Sequence, residues 1–177
     1  AGLIELIGSL KTGKIAVGCF ASNVARMFSV IKAADKAGRR VALAGRSMHR
    51  ITSAARHVGL FNDSQAILTE DEARHWPADQ ILYLCTGSQG EARAALAKLA
   101  RDEMKSVALT AGDIVVFSSR TIPGNEKAIL AIKHGLIDQG IKIIEDTDAL
   151  VHVSGHPRRS ELERMYAWTR PRIGNPV

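Results

Sequence analysis

The sequence predicts one α/β domain, a three-layer sandwich with a mostly parallel central sheet. Three observations predict it. Short, continuously apolar runs such as ILYLC (81–85) and IVVF (114–117) read as strands buried on both faces. Stretches with helical spacing of apolar residues separate them, and the connections between the two kinds of segment are short. At 177 residues, with 46% hydrophobic and 24% charged, the chain is long enough for one real core and shows no sign of disorder.

In order along the chain, residues 2–10 read as a short helix and KIAVGCF (14–20) as the first strand. Asn23 is placed to cap a helix over 24–38, where Val24, Met27, Phe28 and Ile31 recur at spacings of three and four and Gly38 supplies the stop. RRVALAG (39–45) is the second strand, followed by a helix that opens at Ser47 or Arg50 and closes at Gly59. Residues 63–65 turn the chain into a short helix over 69–76, capped by Thr69 and acidic in its first turn. QILYLCTG (80–87) is the third strand, with a helix over 91–103 after it. GDIVVFSS (112–119) leads to a helix over 123–140, and IKIIED (141–146) to a short sixth strand, LVHV (150–153). A helix over 159–169 closes the series, with Leu162, Met165 and Tyr166 on one side.

Composition narrows the function classes. No apolar run approaches the length of a membrane span, and the N-terminal segment carries Glu5 and lacks a basic lead, so it is not a secretory signal. The absence of an initial Met is expected of a processed or excised segment. Two cysteines, Cys19 and Cys85, are too few for a disulfide framework and read as buried thiols of a cytoplasmic protein. The net charge of +6, thickest around 32–40, 45–50 and 158–172, permits an anionic partner such as nucleic acid without requiring one.

Polar motifs gather after the strands, where ligands bind in such sheets: FASN (20–23), GRSM (45–48), TGSQGE (86–91), SSRTIPGNE (118–126) and SGHP (154–157). TGSQGE precedes a helix and offers amides and hydroxyls to a phosphate, or is simply a tight capped turn. It has neither dinucleotide-binding nor Walker spacing. KTGK (11–14) is an isolated fragment, and His49, His57, His75 and His134 read as surface residues. His152, Ser154 and His156 alternate in LVHVSGHPRRS. Asp146 and Asp148 lie nearby, but no ligand spacing for a self-contained metal site is present, so acid–base work or phosphate contact is the better reading.

Four segments together, FASNVARMFSVIKAADKAGRRVALAGRSM, CTGSQGEARAAL, GDIVVFSSRTIPGNE and VHVSGHPRRSEL, closely resemble the β-CASP portion of the bacterial ribonuclease J family. The resemblance implies a Rossmann-like β-CASP fold over 14–157, with 1–13 leading in from a metallo-β-lactamase domain and 158–177 starting the return to it. It implies a parent enzyme that hydrolyses RNA internally and from the 5′ end, with two divalent metals, taken as zinc, held by HxHxDH and further ligands absent from this chain. TRPRIGNPV stops where the family's last metal-ligating histidine would follow, so the chain is expected to be an excised, catalytically inactive domain that binds no metal and holds RNA only weakly.

The same resemblance assigns His156 to the catalytic centre near the scissile phosphate, and His152 and Ser154 to an RNA phosphate. It puts Ser88, Gln89, Gly90, Glu91, Ser118, Ser119, Gly124 and Asn125 on the RNA cleft, with Asn23, Arg46 and Ser47 on its rim. Partners implied are RNA and the metallo-β-lactamase domain of a cytoplasmic, non-membrane parent that can be homo-oligomeric. Pro157 and Arg120 depart from the family pattern without disturbing the fold. Two other readings stay open: a nucleotide-binding α/β domain, against which FASN stands in place of a glycine fingerprint, and a purely structural or protein-interaction domain.

Overall fold

The computed structural model describes residues 2–61, 67–153 and 156–174. Among these, six strands form one wholly parallel sheet: β1 (Ile15–Gly18), β2 (Arg40–Ala44), β3 (Ile67–Leu68), β4 (Ile81–Cys85), β5 (Ile114–Phe117) and β6 (Lys142–Ile144). Their spatial order is β3-β2-β4-β1-β5-β6. The helices are α1 (Gly2–Ser9), α2 (Val24–Lys36), α3 (Arg46–His57), α4 (Glu70–Ala73), α5 (Ala95–Ala100), α6 (Glu126–Asp138) and α7 (Arg159–Thr169).

The strands are apolar without alternation because both faces are covered. Ile15, Val17, Val41, Leu43, Leu82, Leu84 and Val116 pack against α1, α2 and α3, around Ile7, Met27, Val30 and Met48. Their neighbours Ala16, Ala42, Tyr83, Val115 and Phe117 pack on the opposite face against α5 and α6, around Leu96, Leu99, Ile132 and Leu136. Each fully buried aliphatic side chain contributes on the order of 1.5–3 kcal/mol, so two such layers hold the sheet without covalent ties. Cys19 and Cys85 are both buried free thiols. Burial pushes the Cys19 thiol up to about 12 and raises that of Cys85 as well, so neither is a nucleophile near neutral pH.

Local signals account for most boundaries. Asn23 Oδ1 accepts a 3.0 Å hydrogen bond from Arg26 N and starts α2. Thr69 and Glu72 form a reciprocal capping box at α4. α3 begins one residue before the earlier of the two expected positions, at Arg46, because Gly45 takes φ 110 and turns the chain sharply off β2. The expected turn at 63–65 lies outside the described residues.

Two expectations are corrected, and one strand was not foreseen. The helix placed over 91–103 spans only Ala95–Ala100. Its first residues are held in a turn, with Gln89 N donating to Glu91 Oε2, while Ala95 N and Leu96 N donate to Thr86 Oγ1 and Thr86 O. Tertiary hydrogen bonding here overrides a strong local helix propensity. LVHV is not a strand: the Val151 carbonyl accepts from the Ser118 hydroxyl and the Arg26 guanidinium instead of a neighbouring strand. The remaining strand is β3, paired with β2 through Val41↔Ile67 and Ala42↔Leu68, and two residues are too few to show a period.

The N-terminal edge of the sheet is tied by Arg39, which is 4% exposed. Its guanidinium donates to the carbonyls of Leu10, Gly13, Ala78 and Ile81. A basic residue that composition alone would offer to an anionic partner is therefore spent on main-chain carbonyls.

Candidate functional site

β1 is flanked by β4 on one side and β5 on the other, and the chain leaves β1 toward α2 but leaves β4 toward α5 on the opposite face. Loops therefore diverge at the carboxyl ends of β1 and β4 and open a crevice between them, the usual ligand position in a doubly wound sheet. A cavity of about 490 Å³ occupies it, lined by Phe20, Arg46, Ser47, Gly87, Arg93 and Lys98 among others. The N-terminus of α3 faces this cavity with no side-chain cap and no acidic residue in its first turn. The carboxylates of Glu70 and Glu91 also line it. Glu70 lies 3.9 Å from His49 Nε2, and Glu91 accepts from Gln89 N, so each carboxylate has a protein partner.

A second cavity, of about 550 Å³, lies beyond Phe20 and is lined by Arg120, Ile122, His152, His156 and Pro157. His152 is half-buried, and its Nδ1 has no hydrogen-bond partner among the described residues. Burial, followed by the nearby Arg26 guanidinium, lowers the His152 pKa; Asp146 opposes the shift and Arg120 adds to it. The imidazole is thus held neutral near pH 7 in a cationic setting. Arg120 is itself mostly exposed and 3.8 Å from Asp146.

The expected site residues divide into two groups. Gln89 is 6% exposed and its amide is fully engaged. Nε2 donates to Ser119 Oγ and the Arg120 carbonyl, while Oε1 accepts from Ile122 N and Asn125 Nδ2. One side chain therefore ties the loop after β4 to the loop after β5. Gly90 permits the close approach: its φ is +86, and a Cβ there would come within 2.5 Å of the Ala128 Cβ. Ser118 is buried and donates a 2.6 Å bond to the Val151 carbonyl, fixing the segment that carries His152 to the end of β5. Gly124 N donates to Glu126 Oε2 at the start of α6.

The second group faces solvent or a cavity. Arg46, Ser47 and Glu91 border the first cavity, and His152 and His156 the second. Asn23 is exposed, with its side-chain oxygen capping α2. Ser88 belongs to neither group: it is 2% exposed, and its hydroxyl has no partner among the described residues. Ser154 lies outside the described residues. Sequence reasoning missed Phe20, Arg93, Lys98 and Arg26. Phe20 carried a signal, since it is the first residue of a polar strand-end motif; the others sit on helical or turn segments that read as ordinary solvated faces.

Among the described residues, no group of three or more His, Cys, Asp or Glu side chains is gathered as metal ligands. Nor is any helix among them long and apolar enough to cross a membrane. The two catalytic metals implied by the resemblance therefore do not fit the described residues of this chain.

An all-parallel α/β sandwich with polar loops at its strand ends defines the class as a Rossmann-like domain. The family model for the β-CASP domain of ribonuclease J matches residues 12–136, and the chain belongs to that family. It is similar to ribonuclease J of Sinorhizobium meliloti, 59% identical over 165 residues. It is 42% identical over 166 residues to ribonuclease J of Mycolicibacterium smegmatis, and 37% over 164 residues to that of Thermus thermophilus. In each case 93% of this chain is covered, and it spans only 29–30% of the length of the relative.

Proposed function

We propose that this chain is the RNA-facing part of a ribonuclease J-type enzyme, completing an active site whose metals are held by the rest of a longer parent. The observation that carries this reading is the pairing of His152 and His156 on one cavity at the strand-end face, with Arg26 and Arg120 close to His152. Two imidazoles and two guanidiniums suit a phosphodiester, the guanidiniums as charge partners and the imidazoles as hydrogen-bond donors to its oxygens. His156 is assigned to the scissile phosphate, and His152 with Ser154 to an adjacent phosphate. Ser88, Gln89, Gly90, Glu91, Ser118, Ser119, Gly124 and Asn125 shape the loops that border the strand, and Asn23, Arg46 and Ser47 its rim.

In this reading the division of labour is strict. Phosphodiester hydrolysis depends on two divalent metals, zinc by analogy with the family, and those belong to the metallo-β-lactamase part of the parent. This chain orients the strand and supplies positive charge. Residues 1–13 and 158–177 would be the connections to that part. A cytoplasmic location accords with two buried cysteines that form no disulfide with each other.

The test is fluorescence anisotropy of a labelled single-stranded RNA against the 177-residue chain, with salt raised from about 50 to 200 mM. The expected result is weak binding that falls steeply with salt, without cleavage. Salt-independent binding, no binding at low salt, or hydrolysis of RNA by the pure chain would each sink the proposal.

A further inference from the structure

We propose that the open edge of β6 takes an added strand: an extended segment of a partner protein in which apolar and acidic residues alternate. The surface lies at the amino-terminal ends of the strands, where Ile114 begins β5 and Lys142 begins β6. The loops that carry the expected site residues leave the opposite ends, so the inference stands independently of the RNA-facing reading.

β6 is the last strand of the sheet and pairs only with β5. Lys142 N donates inward to the Asp113 carbonyl. Peptide groups of successive strand residues point to opposite sides, so the N–H and C=O of Ile143 face away from the sheet. An incoming extended chain would pair with them, which is the main-chain half of recognition by strand addition. Three residues make a short edge, so these bonds set register and the side chains must supply most of the affinity.

A cavity of about 670 Å³ borders the same edge, between the α1–β1 loop and the end of α6. Ile137, Ile141, Ile143 and Ile144 give it an aliphatic wall, and Ile137 is 55% exposed. Lys11 and Lys142 also line it and are exposed. Neither makes an ion pair among the described residues, and no Asp or Glu is among the described residues that line the cavity. Positive charge beside an apolar wall selects a segment that is both apolar and acidic. The same charge disfavours a second copy of this chain, because pairing β6 with itself would crowd Lys11 and Lys142 of both copies along one edge. Aliphatic side chains offer no face on which a base could stack, which disfavours RNA.

The test uses the 177-residue chain and an amidated octapeptide that alternates valine and glutamate, followed by amide NMR and hydrogen exchange. The expected result is shifts at Lys11 and at residues 142–144, with slowed exchange of the Ile143 amide. The matching valine–lysine octapeptide should bind at least about tenfold more weakly, since attraction is replaced by repulsion at two lysines. Lys142→Glu, at an exposed position, should weaken binding of the glutamate peptide about three- to tenfold and strengthen that of the lysine peptide. Ile137→Ala should weaken it about fivefold through lost apolar contact.

Equal binding of the two octapeptides would overturn the proposal, as would shifts elsewhere in the fold without any at 142–144. An oligouridylate that shifts residues 142–144 would make the edge an RNA surface and overturn it too. So would an Ile143 amide that exchanges slowly without peptide and quickly on dilution, the signature of a second copy on this edge. None of these outcomes bears on the His152 cavity.

Discussion

The hydroxyl of Ser118 donates a 2.6 Å hydrogen bond to the carbonyl of Val151, across 33 residues of sequence. Ser118 directly follows β5, and Val151 immediately precedes His152. The end of the sheet therefore holds the His152 segment through a buried hydroxyl, with the Arg26 guanidinium on the same carbonyl at 3.3 Å, and the Ser118 main chain also bonds the His152 side chain. Ser118→Ala removes the stronger of the two partners and leaves a buried carbonyl underpaired, which costs about 1–3 kcal/mol. Urea denaturation should show that loss. Amide exchange should accelerate at residues 151–153 more than at β5. An unchanged exchange rate there would mean that Ser118 does not hold the His152 segment.

Two glycines with similar backbone angles should respond differently to a methyl group. Gly90 and Gly124 both have positive φ, +86 and +97. A Cβ on Gly124 meets nothing within 4 Å, whereas one on Gly90 comes within 2.5 Å of the Ala128 Cβ. Gly124→Ala should cost only backbone strain, about 1 kcal/mol. Gly90→Ala should cost about 2 kcal/mol more, because α6 must move away from the loop. Equal losses in thermal or urea unfolding would show that the two loops are not packed as described.

Arg39 should be indispensable to folding even though it is a basic residue in a basic segment. Burial lowers its pKa from the usual guanidinium value, and Asp79 and Asp113 pull in the opposite direction. Four carbonyls receive its protons. Arg39→Met should destabilise the chain by about 3 kcal/mol, since hydrogen bonds to a charged donor are lost and buried acceptors remain. Arg39→Lys should recover little, because an ammonium cannot reproduce the guanidinium fork. At the same time RNA affinity, normalised to folded protein, should be unchanged in Arg39→Lys. A loss of affinity without loss of stability would place Arg39 at the RNA instead.

His152 predicts a pH dependence with a definite sign. Its native pKa lies below the unfolded imidazole value of about 6.5, because of burial first and the Arg26 guanidinium second. The unfolded chain then binds more protons in that interval, so this group's contribution to stability is full above about pH 6.5 and declines as pH falls toward the native pKa. RNA should act in the reverse direction. A phosphate beside His152 favours the imidazolium, so binding should strengthen from pH 7.5 to about pH 5.5 with uptake of a proton. Histidine-proton NMR and anisotropy across that range test both signs, and His152→Gln should flatten the binding profile.

Much of the fold was legible because it depends on local chemistry. The apolar runs of β4 and β5, the Asn23 cap and the Thr69–Glu72 box each carry their signal within a few residues. The failures are equally specific. Residues 91–94 have helix-forming composition but answer to Thr86 and Gln89. Val151 has a strand former's side chain but gives its carbonyl to Ser118 and Arg26. β3 exists only as the partner of β2.

The same distinction runs through the site. By itself the sequence determined an α/β domain with parallel strands, polar loops at the strand ends, and a pair of histidines flanking a serine near one of them. It also sufficed to carry the family resemblance, since motif order and spacing survive without coordinates. Only the tertiary structure decided which polar residues look outward. Gln89, Ser118 and Arg39 have the composition of ligand-binding groups, yet their donors are used on main-chain carbonyls and neighbouring loops. Phe20, an apolar residue at the end of an apolar run, stands between two cavities. The reason is that hydrogen-bond capacity is exhausted or left open by partners distant in sequence, and a crevice is made by two strands whose loops diverge. Neither property is written within reach of the residue that has it.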